Sequence, residues 1–574
     1  LFPNENVELN SSIANVEDIT KNTTEYTKGF SVPASEANNF IFKHYYDANI
    51  DNTFDARTST KGRIELDGMP FKYGKFKLTK VIVKDGKPSS YSINFTGNLV
   101  SLKDKVKNDF LSALDFDYLN HLYNSTNVKQ GLQTSLFDGK IIYTPLVKKQ
   151  LFYNSTANEN TQTVERANIA FAAGANTGIK YSELKPSIQL IEIIKAIEIK
   201  YGFTITRDLF GRNEFLQLYL YLNNTSERLG VENEKLIDFT TGNADDLGFN
   251  FTTDTWNYNF PNANTKLYRI QVFPVNTNVP YSVIAKNNGV EVARYSNVIG
   301  NFDSQFTGAG ANISYQFFVG STNNFDFSAK LSLGSVFDLN GTIRPFANAP
   351  VQTIIDTFIV KEDIPKIKVI DFLKGLFNAF KLVVIVNNED EIYINTINDY
   401  YAQGKVYDLT DFIDSRNYEV ESGKILNEIK LKFQEPQTIL NKQFAKNNTL
   451  PYGDAELFLT EDGTPDSAPL EGGSFIVDLP FEQIVYERLN DLNDNLPSEF
   501  VYGAIIDDTL VPANPKPHIY YRNNVTITNK PIAFLAELNA RSALNTTINL
   551  PSHSLGNDYG FIFSKEIDEY TNLL

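Results

Sequence analysis

An α+β fold, mainly β, with an internal duplication is what the sequence predicts, and three patterns carry that expectation. The order Pro186, Ile188, Leu190, Ile191, Glu192, Ile194, Lys195, Ile197, Phe203 recurs without gaps as Pro365, Ile367, Val369, Ile370, Asp371, Leu373, Lys374, Leu376, Leu382. Alternating apolar and polar segments broken by Asp-Gly, Asn and Pro fill most of the remaining chain. Residues 236 to 345 lack helical periodicity and carry only short strand patterns. Together these give two small β-barrel-like units with associated helix units, plus an inserted β-sandwich.

The elements follow in chain order. Residues 30 to 102 read as β: 63 to 66, the turn Asp67-Gly68, Phe71, then 75 to 84, the turn Asp85-Gly86-Lys87-Pro88, and 90 to 96. Lys77, Thr79, Val81 and Val83 alternate in side with Phe76, Leu78, Lys80 and Ile82. Residues 103 to 135 read as helical from Val106, Phe110, Leu111 and Leu114, and 141 to 153 as strand. The first repeat helix runs from Pro186 to Tyr201, stops at Gly202, and feeds strands at 203 to 206 and 215 to 222. Five strands are expected at 268 to 273, 281 to 285, 290 to 295, 314 to 319 and 325 to 333, a β-sandwich signature lying between the two repeat copies. The second copy, 365 to 380, precedes a hairpin of 382 to 386, the turn 387 to 390, and 391 to 396. From Lys405 on, strands are expected at 429 to 434, 455 to 459, 473 to 479, 519 to 522 and 526 to 528. The resulting units are 1–150 (first β-barrel-like domain), 151–235 (first helix/strand repeat unit), 236–350 (inserted β-sandwich), 351–400 (second repeat unit) and 401–574 (second β-barrel-like domain).

With 574 residues, 42% hydrophobic and 13% aromatic, the chain is long enough for several cores and too apolar for a disordered one. A net charge of -17 excludes a surface built to hold nucleic acid by phosphate neutralisation, although an acidic lining would keep DNA from adhering to a conduit. There is no Cys, which excludes disulfides, thiolate nucleophiles and cysteine zinc sites. No apolar run approaches the roughly 18 residues of a spanning helix, so a soluble chain is expected. The chain opens on Leu1 with neither an initiator Met nor a secretion signal, which gives the expectation that its first residues are missing. Sequons at Asn22, Asn94, Asn124 and Asn154 follow from the abundance of Asn.

No catalytic constellation is legible. His44, His121, His518 and His553 are isolated, without the i, i+3 or i, i+4 spacing that sets two ligands on one helical face. There is no nucleophile elbow, phosphate loop or dinucleotide fingerprint, and Gly308-Ala309-Gly310 reads as a turn. Asp491, Asn493 and Asn495 begin like a calcium loop but lack its Gly at position six and Glu at twelve. The expectation is therefore no enzyme, no metal and no cofactor. Trp256, the only Trp, with Tyr258 and Phe260 at period two, offers either a core strand or aromatics that stack on a sugar, the latter making Trp256 and Tyr258 candidate glycan contacts.

Several stretches are familiar as a set: 31 to 35 (Ser-Val-Pro-Ala-Ser) with 39 to 46, 54 to 57 (Phe-Asp-Ala-Arg), 86 to 91, 97 to 102, 408 to 411 (Asp-Leu-Thr-Asp), and 433 to 436. In these the chain resembles tail-tip or baseplate hub proteins of tailed bacteriophages, especially those of phages infecting Bacteroidetes bacteria. The resemblance covers the β-rich and helix units and does not extend to residues 236 to 345. It implies a homotrimer in which two related barrels per subunit form a pseudo-sixfold ring joining the sixfold tail tube to a threefold tip or spike, with DNA only as passing cargo in the lumen. Tail tube, distal tail, spike or fibre proteins are the implied partners, and the distal end of the virion tail, assembled in the host cytoplasm, the implied location, with no stable membrane insertion. The ring interface is then expected in the 75 to 95 hairpin (Val81, Val83, Phe95) and the 429 to 433 and 475 to 479 strands (Ile429, Phe433, Val477). The alternative is a carbohydrate- or receptor-binding tail protein acting through the inserted sandwich.

Overall fold

The computed structural model describes residues 9–10, 26–27, 29–42, 58–66, 69–97, 106, 108–156, 166–174, 177–223, 233–244, 248–258, 266–308, 313–322, 324–335, 346–388, 391–403, 425–464, 467–555 and 567–568. His44, Phe260, Asp67-Gly68, Ala309-Gly310, 54 to 57, 389 to 390 and 408 to 411 lie outside them. The described chain is mainly β with a smaller helical share.

The N-terminal sheet is built on a long hairpin, Met69–Lys84 and Lys87–Gly97, flanked by Thr60–Leu66 on one side and by Phe30–Pro33 and Tyr26–Thr27 on the other. Asp85 and Gly86 both take positive φ (50° and 71°), the left-handed pair that a two-residue hairpin turn requires. The expected alternation fails at Thr79. Leu78 pairs with Ile93 and Lys80 with Ser92, so Thr79 is a bulge, and its hydroxyl donates to Ser92 O at 2.9 Å. Beyond the bulge Val81 joins Leu78 against the cluster of Phe30, Val32, Tyr91, Ile93 and Phe95, while Lys80 turns outward. The sheet is open: among the described residues no ladder joins the Thr60–Leu66 edge to the Phe30–Pro33 side, so half a barrel is present where a closed one was expected.

Residues 106 to 222 and 358 to 550 share one large core. Its main antiparallel sheet runs Thr547–Ser552, Ile519–Thr526, Leu218–Tyr221, Pro186–Gln189, Ile141–Tyr143, interleaving the two ends of the chain. Within 103 to 135, read as helical, Ser125–Gln133 is the one α-helix of any length among the described residues. Asn124 caps it by accepting from the Asn127 N–H at 2.8 Å, while Leu111–Ala113 and Asp117–Leu119 are single 3-10 turns. The 215 to 222 strand is shorter than expected because Asn213–Leu216 coils into a helical turn first. Ile439–Asn447 is a helix inside a stretch read as β.

Both repeat helices pack into this core, Leu190–Tyr201 and Val369–Ala379. Each starts four residues after its proline, so neither Pro occupies the first turn; Pro186 instead pairs with Tyr143 in the main sheet. The repeat register persists past the helices, since Gly202 (φ 67°) and Lys381 (φ 50°) hold the same left-handed position before their strands. Those strands meet in one sheet, Thr204–Ile205 pairing parallel to Glu391–Thr396, whose other neighbour is Leu382–Asn388.

Residues 233 to 354 leave the large core after Tyr221 and rejoin it at Thr357–Phe358, which pairs with His121–Leu122. They form two antiparallel sheets, one centred on Ile313–Ser321 and the other on Phe325–Ser335, whose buried side chains make a separate cluster. Entry and exit are tied where Asn233 donates to Asp356 at 2.8 Å and Asn324 donates to Tyr123 O at 3.0 Å.

Lys381 in a left-handed conformation carries the Cβ cost that Gly202 avoids. Lys381→Gly is expected to raise stability by about 0.5–1 kcal/mol and Gly202→Ala to lower it by a similar amount, read as opposite shifts of the urea midpoint. Equal effects of both changes would refute the equivalence of the two positions.

Candidate functional site

The six ring candidates do not share one kind of environment. Phe95 is fully buried, its ring 5.0 Å from that of Phe76, so it is a core residue of the N-terminal sheet and presents nothing to a partner, contrary to expectation. Val81 is half-buried against the same cluster, and Val83, nearer the hairpin tip, is 48% exposed. Ile429 and Val477 lie in a small sheet ordered Ala455–Phe458, Leu426–Lys432, Gly473–Asp478. Val477 and Phe433 pack against the large core, Phe433 also donating its N–H to Asp454 at 2.8 Å, whereas Ile429 sits half-buried between Leu457 and Phe475. The exposed apolar groups of this sheet are instead Leu457, Phe458 and Ile476; alternation sets Ile476 and Val477 on opposite faces, and only the packing against the large core decides which of the two is covered.

Trp256 is 1% exposed and wedged between Tyr268 and Tyr315, with ring centroids at 5.8 and 6.0 Å. No face of the indole is open to a sugar, which corrects the glycan-contact reading of this residue; of Tyr258 only its backbone position in Thr255–Tyr258 is described. The partial calcium loop is served by a protein cation. Lys530 Nζ lies 2.9 Å from both Asp491 and Asp494, and Ser155 donates its N–H and hydroxyl to Asp491. Burial alone would raise the Asp491 pKa, but these hydrogen bonds hold it down to about 2. Among the described residues no group of three metal-ligating side chains occurs, and no helix is long and apolar enough to cross a membrane.

Two histidines that look isolated in sequence meet in the fold. His518 and His553 meet edge to face with centroids 6.2 Å apart, and Tyr486 stacks on His553 at 4.1 Å and 7°. The Tyr486 hydroxyl bonds His518 Nε2 at 2.5 Å, His518 Nδ1 bonds Glu482 O at 2.8 Å, and His553 Nε2 bonds Ile484 O at 2.8 Å. Glu482 accepts from the backbone N–H groups of Gln437 and Lys516. Burial drives His518 down to about 4; burial, with repulsion from His518, drives His553 down to about 3. Burial pushes Glu482 up to about 7 against its two backbone donors. All three are enclosed, so the cluster fastens segments 437, 482 to 486, 516 to 520 and 553 together and offers no surface to a substrate. His121 is likewise buried, held between Leu119 O and the Tyr143 hydroxyl.

No known family model and no curated protein matches the chain.

The buried pair fixes the sign of a pH response. Each histidine has a folded pKa below its unfolded value near 6.5, so its contribution is complete above that pH and is lost as pH falls toward 4. Glu482 works oppositely, its contribution being lost as pH rises from about 4.5 through 7. Between pH 6.5 and 4.5 two histidines outweigh one acid, and denaturant titrations are expected to show falling stability on acidification. His553→Phe, which preserves the stack on Tyr486, flattens that limb; an unchanged pH slope would exclude the pair as its source.

Proposed function

We propose that this chain is a structural phage tail hub protein, a trimer whose two barrel-like units per subunit present six related docking faces in a ring. The observation that carries the reading is the duplication, in which an offset of 179 residues relates the two prolines, the two helix starts and the two left-handed positions that follow. Doubling a unit within the chain lets a threefold assembly match a sixfold one, because three subunits then offer six near-equal faces. In this reading the open N-terminal sheet belongs to the first barrel, the 425 to 478 sheet to the second, and residues 233 to 354 form an inserted β-sandwich that decorates the ring. Open sheet edges at Thr60–Leu66 and Gly473–Asp478 are what such rings pair across, since an uncovered edge otherwise invites uncontrolled association. The partners are the tail tube and distal tail proteins on one side and the tip, spike or fibre on the other, with the protein at the distal end of the virion tail and DNA passing through the lumen. No catalytic step is required. The sugar-binding alternative loses its main residue, because Trp256 is enclosed.

The reading predicts a trimer by mass photometry and a ring with pseudo-sixfold features in negative stain, alone or on isolated tail tubes. Val83→Glu, at an exposed position, is expected to leave thermal stability within about 0.5 kcal/mol while reducing ring formation. A wild-type protein that stays monomeric both alone and with tail tubes would overturn the reading.

A further inference from the structure

Residues 60 to 97 contain eight Lys and Arg against three acids, in a chain whose net charge is -17. The bulge at Thr79 gathers much of that charge on one face. Lys75 and Lys77 precede it and Lys80 follows it, and the extra residue places all three opposite the face of Leu78 and Val81. In an unbroken strand Lys80 would have shared the side of Leu78 and pointed into the cluster of Tyr91 and Phe95. Lys61 lies directly across from Lys75 on the neighbouring strand, which extends the row of lysines. Lys61, Lys75, Lys77 and Lys80 are all exposed. Retaining such a row, with about 7 Å between alternate residues along the strand, favours an anionic partner.

A surface of opposite sign lies at the other end of the chain. Residues 454 to 478 include seven acids and no Lys or Arg. Glu461, Asp462, Glu471 and Asp478 are exposed, while the nearby Lys430 is engaged with Glu428 and Glu456 and leaves these four outside its ion pairs. Exposed apolar groups accompany the acidic sheet, namely Leu457, Phe458 and Ile476.

We propose that the cationic face of the N-terminal sheet docks on the acidic 454 to 478 surface of a second copy of this chain. The two surfaces differ, so the contact is heterologous and propagates head to tail, closing into a ring when the rotation allows. Every copy carries both halves in equal number. A nucleic-acid backbone would satisfy the lysines but leave the acidic sheet and its exposed apolar groups unused, whereas a protein interface places apolar contacts inside a charged rim. The inference rests on the hub reading and names the surfaces that join neighbouring subunits.

The test is a charge swap on the full chain, followed by sedimentation velocity at low and high salt. K75E/K77E/K80E and E461K/E471K/D478K are each expected to weaken self-association about tenfold or more, as the loss of several exposed ion pairs implies, without shifting the unfolding midpoint. Mixing the two variants is expected to restore association, because the intact acidic surface of one meets the intact lysines of the other and the two reversed surfaces are complementary in turn, and the wild-type assembly is expected to weaken with salt. Rings that form equally well from both variants would overturn this docking and leave the hub reading standing. Loss of assembly in the lysine variant alone, with wild-type binding of a DNA oligonucleotide that this variant abolishes, would also overturn it and assign the face to a polyanion. A wild-type chain monomeric at low salt, yet forming rings on tail tubes, would refute self-docking while supporting the hub.

Discussion

The main sheet of the large core draws adjacent strands from residues 141, 186, 218, 519 and 547, so no contiguous half of the chain can complete it. Hydrophobic burial enforces that interleaving. Ile141, Ile188, Leu220, Ile519 and Ile548 are fully or almost fully buried, and each such side chain contributes about 1.5–3 kcal/mol when removed from water. Polar ties run through the same sheet, where the Tyr520 hydroxyl donates to Ser187 at 2.7 Å and lies 2.8 Å from Thr144. The 233 to 354 sheets, the repeat hairpin and the acidic sheet are attached to this frame.

Because Leu218–Tyr221 and Thr357–Phe358 both belong to that core, the 233 to 354 unit can vary without disturbing it, provided its two ends stay close. The Asn233 to Asp356 hydrogen bond marks that closure. The buried His518, His553 and Glu482 serve the frame in a different way. The histidines bond the carbonyls of Glu482 and Ile484, and the Glu482 carboxylate accepts from two backbone N–H groups, in a region where four distant segments converge, and their shifted protonation follows from enclosure.

Charge organises the exterior as apolar burial organises the interior. A chain with a strong overall negative charge carries eight Lys and Arg against three acids in residues 60 to 97, and seven acids without Lys or Arg in residues 454 to 478. The bulge at Thr79 contributes to both levels at once, since the same extra residue sends Val81 inward and Lys80 outward.

Local signals were enough for several elements. The Asp85-Gly86 turn, five of the six strands between 266 and 335 (all but Phe302–Gly308), the hairpin at 382 to 396 and the repeat register were legible, because turn chemistry and short-range periodicity act within a few residues. The helices start four residues after Pro186 and Pro365, and at the first of these pairing with Tyr143 holds the proline in a strand, which its local sequence does not reveal. Strict alternation over residues 76 to 83 is interrupted by a bulge that only the register against 87 to 97 creates. The proximity of His518 to His553, the enclosure of Trp256 and Phe95, the Lys530 that serves Asp491 and Asp494, and the open form of the N-terminal sheet were beyond local reading. Sequence by itself determined which segments could be strands, helices or turns and how the charge is distributed. Tertiary structure decided which of them share a core and which side chains reach solvent, because burial depends on contacts between residues hundreds of positions apart.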